Sequence, residues 1–273
     1  MKVLARPREL DEPVAEVRGQ VAEARPSGIS LLSQRTLLGL ALLLAWEGSG
    51  RFLVDPFWTS SPTRILGKLA EWTANGSLFF HLFITVREML LGFVVGAVAG
   101  VCAGFLLGRN ERLALLVEPY LMALFALPKV ALAPLLILWL GIGIESKIAL
   151  VAIIVFFLLF YNTLAGVRDV NPNLVNIVRL MGASERQIIA KIVIPSAGAW
   201  ILTGVRISIP YSLIGAVIGE IIASNKGLGY LTEFYAGMFD TDGVYAALVL
   251  LMLLAVVLNV ICGRVEQRAL RWR

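Results

Sequence analysis

The chain of 273 residues is 58% hydrophobic and only 16% charged, with a mean hydropathy of +0.82. A soluble domain runs near about 45–50% apolar and about 25% charged, so these figures exclude a disordered tail, a collagen-like fibre and a disulfide scaffold, and disfavour a cytosolic enzyme. They fit a multi-spanning membrane protein, in which six helices of about 20 residues would use about 120. The 24 Lys and Arg against 19 Asp and Glu give a formal charge of +5, read as membrane topology rather than nucleic-acid binding.

Residues 1–35 are polar, mixed in charge and carry Pro7, Pro13 and Pro26. They have no apolar h-region and so do not form a cleaved signal peptide; a cytoplasmic N-terminal tail is expected. A transmembrane domain then covers 36–265, and 266–273 form a basic cytoplasmic C-terminal tail. The first apolar run is Leu37 to Val54, in which Glu47 and Arg51 stand four apart and can pair on one helix face. Residues 63–74 are amphipathic, with Ile65, Leu66, Leu69 and Trp72 at helical spacing, and suit a helix on the membrane surface.

The second span, Phe83 to Leu107, carries Gly92, Gly96, Gly100 and Gly104, with Gly108 just beyond. A spacing of four puts these glycines on nearly one face, where a second helix can approach closely. The third, Leu113 to Ile142, is longer than one straight span needs. It contains Pro119, Pro128 and Pro134, which predicts a kinked or broken helix. Further spans are expected over Ile148–Val167, Ala197–Ala223 and Val244–Cys262. Cys102 and Cys262 lie inside apolar runs and read as small buried hydrophobes. With His81 the only histidine, neither a metal centre nor a catalytic constellation is expected.

Six spans place both termini on one side. The two tails, the 109–112 loop and the 168–195 segment hold sixteen Lys and Arg, against five in the opposite loops. By the positive-inside rule both termini face the cytoplasm.

The cytoplasmic segment 168–195 is patterned. Asn171 suits an N-cap and Pro172 a first helical residue. Leu174, Ile177, Val178 and Met181 form an apolar stripe, and Gly182 a C-terminal stop. Ser184 and Gln187 make a capping box for a second short helix, which ends at Pro195. A short helix with an apolar stripe wants either a groove in a partner protein or the lipid surface; the pattern leaves both open.

Asn176-Ile177-Val178-Arg179-Leu180-Met181-Gly182, nine further residues, then Ile192-Val193-Ile194-Pro195 resembles the signature of binding-protein-dependent ABC importer permeases. The glycine and the Ile/Pro ending fall at matching spacing; the family's opening Glu-Ala-Ala is Asn176, Ile177 and Val178 here. Leu127 to Pro134, Ile137 to Gly143, Asn162 to Val167, Gly182-Ala183-Ser184 and Glu220-Ile221-Ile222-Ala223 with Lys226 to Leu231 resemble the nitrate/sulfonate/taurine group. The resemblance runs over about residues 36 to 270.

It implies an all-α type I importer permease of about six transmembrane helices, with a cytoplasmic coupling helix between spans four and five. Leu174, Ile177, Val178, Arg179, Met181, Gly182, Ala183 and Ser184 are the coupling residues it implies. The implied partners are cytoplasmic ATPases, an extracytoplasmic binding protein, a second permease copy (commonly identical) and membrane lipid. The implied place is the inner membrane of a prokaryote. The chain has no G-x-x-x-x-G-K-[ST] phosphate loop, so ATP and Mg belong to the partner ATPase. The implied cargo is a small anion such as nitrate, a sulfonate or taurine. The alternative is a self-sufficient secondary transporter or channel, for which an internal repeat or an acidic relay is expected and none is evident.

Ionisable residues within spans are costly and draw functional hypotheses. Arg206 either faces an anionic solute or pairs inside the bundle. Lys129, beside Pro128, either lines the path or supports the break in the third span. Glu220, near the outer end of the fifth span, reads as a gate or a packing contact. Arg87 and Glu88 read as interface anchors, and Trp139 as a belt residue.

Overall fold

The computed structural model describes residues 31–269, except residue 56. Most of the expected N-terminal tail (1–30) and the last four residues lie outside the described residues. Within them every regular element is helical: α1 (Leu31–Phe52), α2 (Pro62–Ala74), α3 (Ser77–Arg109), α4 (Glu111–Ala126), a 3-10 turn (Lys129–Leu132), α5 (Ala133–Leu140), α6 (Ile144–Arg168), α7 (Pro172–Leu180), α8 (Glu185–Ile188), a π turn (Ile189–Val193), α9 (Ile194–Ala223), α10 (Leu228–Gly237) and α11 (Thr241–Ala269).

Four stretches are long and apolar enough to cross a membrane: Ser77–Arg109, Ile144–Arg168, Glu185–Ala223 and Thr241–Arg268. A fifth forms only when Glu111–Ala126 and Lys129–Leu140 are taken together, across a bend of 88°. This is the broken third span. Leu127 precedes Pro128 and is held extended, ending α4, because proline disfavours the helical conformation of the residue before it. The expected first span folds as one helix, α1, of 22 residues. Its apolar stretch is short, bracketed by Gln34 and Arg35 at one end and Glu47 and Arg51 at the other, and α1 is not among the stretches that meet the same measure.

The core is α3, α6 and α9. Met89, Val151, Val155, Leu159, Leu213 and Ala216 form its buried centre. The glycine row of α3 lies along α6: a Cβ added at Gly100 would sit 2.6 Å from the Phe156 carbonyl oxygen, and one at Gly104 2.7 Å from that of Phe160. No side chain fits there, so the row sets the distance between the two backbones.

Two elements pack in ways the sequence pattern did not specify. The amphipathic 63–74 segment, expected on the membrane surface, buries Ile65 and Trp72 against Leu228, Leu231, Ala246 and Ala247 of α10 and α11. The Trp72 indole donates to the Tyr235 hydroxyl at 3.2 Å. Ile65, Leu69 and Trp72 of its apolar stripe pack on protein, while Leu66 stays 64% exposed. The short helix after Gly182, expected to stop at Pro195, instead runs on into α9. The π turn at 189–193 sits just before Pro195; its wider ring makes room where the proline's missing N–H and its ring would disrupt a regular helix. Cys102, expected to be buried, is an exposed free thiol, and Cys262 is a half-buried one.

Candidate functional site

The α7–α8 corner is built as its local chemistry requires. The Asn171 side chain accepts from the Asn173 N–H at 2.9 Å, with Pro172 opening the helix. At the other end Gly182 has φ +88°. Its N–H donates to the Arg179 carbonyl at 3.0 Å, and that of Ala183 to Val178 at 3.2 Å. These are the two bonds of a Schellman ending, with glycine where a Cβ would be strained. Ser184 then starts α8 with a complete capping box with Gln187.

This frame divides the expected apolar stripe. Val178 and Ala183 turn inward with Val175, onto Val167, Ile188, Val193 and Ala197. Val178 therefore belongs to the support of α7 rather than to its outer face. The outer face is Leu174, Ile177, Leu180 and Met181, with Leu180 88% and Met181 81% exposed. Leu180, not among the expected residues, replaces Val178 there, because the Schellman contact between Val178 and Ala183 fixes the helix's rotation. Arg179 points to the side: its Nη2 lies 2.7 Å from the Glu185 carboxylate, whose other oxygen accepts from Arg109 of α3 at 3.3 Å. Glu185 thus ties α7, α8 and the end of α3 together.

The opposite end of the bundle holds buried charge. Lys147 of α6 meets Glu88 of α3 at 2.9 Å, with side chains 5% and 1% exposed. The same ammonium donates to Ser224 Oγ at 2.7 Å. Glu220 of α9 accepts from the Thr85 hydroxyl at 2.7 Å and from the Gly229 N–H at 2.6 Å. Thr85 in turn accepts from the Leu228 N–H at 2.8 Å, and His81 Nδ1 from the Gly227 N–H at 3.0 Å. The first N–H groups of α10 are therefore capped by side chains of α3 and α9. Glu220 is held on all sides by this cap.

Glu88 was read as an interface anchor, and the structure buries it instead. A signal was present: counting back four residues from Gly92 reaches Glu88, on the face that meets α6. Lys147, next to the Gly141-Ile142-Gly143 turn, carried no such signal.

The remaining expected path residues lie apart from one another. Arg206 Nη1 is 2.8 Å from Glu266 of α11, the bundle pairing set beside a solute contact above. Lys129 begins the 3-10 turn after the break. Its ammonium donates to the Phe125 carbonyl, left open by the end of α4, and stands 4.1 Å from the Phe125 ring centroid and 5.5 Å from that of Phe157. Trp139 is 69% exposed on α5. No group of three or more His, Cys, Asp or Glu that would hold a metal occurs among the described residues.

Residues 92–271 match the profile of the binding-protein-dependent transport system inner membrane component. The formylaminopyrimidine transport permease protein ThiX of Halalkalibacterium halodurans is 35% identical over 239 residues, 87% of this chain and 95% of that one. The putative aliphatic sulfonates transport permease protein SsuC of Bacillus subtilis is 31% identical over 87% of this chain and 86% of its own length. The taurine transport system permease protein TauC of Escherichia coli is 26% identical, covering 86% and 87%. Among solved structures, the inward-facing MetNI methionine ABC transporter matches with a TM-score of 0.59 at 20% identity. That match spans 73% of this chain and 97% of the other, and shares the fold. The chain belongs to the binding-protein-dependent transport system inner membrane component family, the membrane-embedded permease subunits of ABC importers.

Proposed function

We propose that α7 is the coupling helix through which a partner ATPase drives this permease. The outward face of Leu174, Ile177, Leu180 and Met181 carries this reading: four large apolar side chains exposed on a helix locked by a Schellman turn. A preorganised apolar face of this kind suits a protein groove, since little of the binding energy goes into ordering the helix. The Gly182 turn and the Ser184 cap then pass displacement into α8 and, through the continuous helix, into α9. ATP and Mg act in the partner ATPase, not here.

With α7 facing the cytoplasm, both termini face it too, and the buried Glu88–Lys147 end faces outward, where an extracytoplasmic binding protein delivers the solute. α1 completes a sixth span, and the expected division into tails and a 36–265 membrane domain is retained. A second copy of the permease completes the path between the two, and lipid covers the remaining apolar surface. We assign Glu220 to holding α10 in place and Arg206 to pairing with Glu266, leaving Lys129 as the candidate that meets solute. The family likeness favours a small solute such as nitrate, a sulfonate or taurine. The test is co-purification. Tagged wild-type protein brings down its ATPase, Met181→Asp does not, and both remain monodisperse in detergent. An unchanged yield of ATPase with Met181→Asp refutes the assignment of α7.

A further inference from the structure

We propose that the loop after α1 and the turn between α10 and α11 form a site for a phospholipid whose headgroup carries an ammonium. Phe57, Trp58, Tyr235, Phe239 and Asp240 line a cavity of about 400 Å³ there, within the range of about 300–1,000 Å³ of small-molecule sites. Phe57 stacks on Phe239 with centroids 5.8 Å apart, and Trp58 meets Phe57 edge to face at 4.9 Å. The loop is fastened to the turn. The Thr241 hydroxyl donates to the Phe57 carbonyl at 2.7 Å, and that of Ser60 to the Asp242 carboxylate at 2.6 Å. The rings are thus set before a ligand arrives.

One of these rings is held against backbone strain. Phe239 has φ +58°, the only positive φ of a non-glycine among the described residues. It takes the place at the end of α10 that Gly182 takes at the end of α7: its N–H donates to the Ala236 carbonyl at 3.1 Å, and that of Asp240 to Tyr235 at 2.9 Å. Glycine fits this position without strain. Phe239 is also 72% exposed, so core packing does not account for its ring. Aromatic faces attract cations, and the fold itself rests one here: Lys68 stands 5.0 Å from the Tyr235 ring centroid and 3.2 Å from the Asp240 carboxylate. The Tyr235 hydroxyl is taken by Trp72, and the other Asp240 oxygen by the Gly243 N–H. A second ammonium therefore falls to Phe57, Trp58 and Phe239, with the Asp55 carboxylate beside them, bonded to the Phe57 N–H at 2.8 Å. The surroundings favour lipid over a water-soluble partner. Phe52, Leu53 and Met238 flank the cavity's elements as exposed apolar side chains, and exposed leucines continue that surface along α1 from Leu37 to Leu44. Acyl chains suit that surface, and the exposed Trp58 indole N–H suits the phosphate behind the ammonium.

The full chain, purified in detergent with whatever subunits accompany it, is given equal amounts of phosphatidylethanolamine and phosphatidylglycerol with the same acyl chains. Native mass spectrometry counts the lipid retained. Wild type is expected to retain the ethanolamine lipid at least about fivefold over the glycerol lipid. Phe239→Gly relieves the backbone and should melt no lower than wild type, yet bring the preference close to parity. Trp58→Leu keeps an apolar side chain and should also remove the preference. Equal retention of the two lipids by wild type, as from an unselective lipid shell, overturns the site. So does a preference that both variants keep, which would leave the rings to a cationic side chain of a protein partner. A Phe239→Gly chain that melts lower than wild type makes the ring structural and overturns it as well. None of these results bears on α7, because lipid retention does not depend on the ATPase.

Discussion

Replacing Lys147 with methionine removes the positive partner of a carboxylate that is 1% exposed. One Glu88 oxygen already lacks a hydrogen-bond partner, so the carboxylate leans chiefly on Lys147. Breaking a buried pair by deleting one side costs about 3–5 kcal/mol, because the remaining charge is left without water or a counterion. At about 2–4 °C per kcal/mol for a chain of this size, Lys147→Met should lower the melting temperature by about 6–20 °C. Replacing both charges removes the stranded group: Lys147→Met with Glu88→Leu should recover most of the loss, since buried pairs are often no better than well-packed apolar residues. The assay is a fluorescence melt of the detergent-purified protein at one fixed scan rate, because membrane-protein unfolding is commonly irreversible. A single variant that melts within about 1 °C of wild type refutes the reasoning. So does a double variant as unstable as the single one.

The other predictions are smaller or more local. Gly100→Leu should abolish monodisperse protein, since even a Cβ there meets the Phe156 carbonyl oxygen at 2.6 Å; size-exclusion profiles check it. Gly198→Ala, on α9, meets nothing within 4 Å and should be neutral or raise stability by about 0.5–1 kcal/mol, through helix propensity alone. Ser184→Ala breaks the capping box and should cost about 1 kcal/mol, read as a lower melting temperature. Arg168→Ala removes a partly exposed pair with Glu118 at 3.0 Å and should change stability by less than about 1 kcal/mol.

What the sequence shows and what it hides follow from the range of the forces involved. Local chemistry is legible: the Asn171 cap, the Gly182 stop, the Ser184–Gln187 box and the break at Pro128 depend on neighbours within a turn or two. The glycine row is legible too, since its period names a helix face, though not which helix lies against it. Pairings across the fold are not legible. Nothing near Lys147 in sequence announces Glu88, which lies 59 positions away, and Arg206 met Glu266 across a similar distance. The burial of α2 illustrates the same limit. An amphipathic helix looks alike whether it rests on lipid or on protein, and only the arrangement of α10 and α11 decides. The rotation of α7 is the most useful case. Helical spacing placed Val178 with Ile177, but the Schellman contact with Ala183 took it inward and brought Leu180 out.

The seat of α7 on a partner ATPase is what couples ATP use to the spans. Photo-crosslinking from a benzoylphenylalanine placed at position 181, and separately at position 178, tests it in intact membranes. An ATPase adduct is expected from position 181, whose side chain is 81% exposed, and none from position 178, which faces the core of the α7–α8 corner. Adducts from position 181 to lipid alone would contradict it and make α7 an interfacial helix.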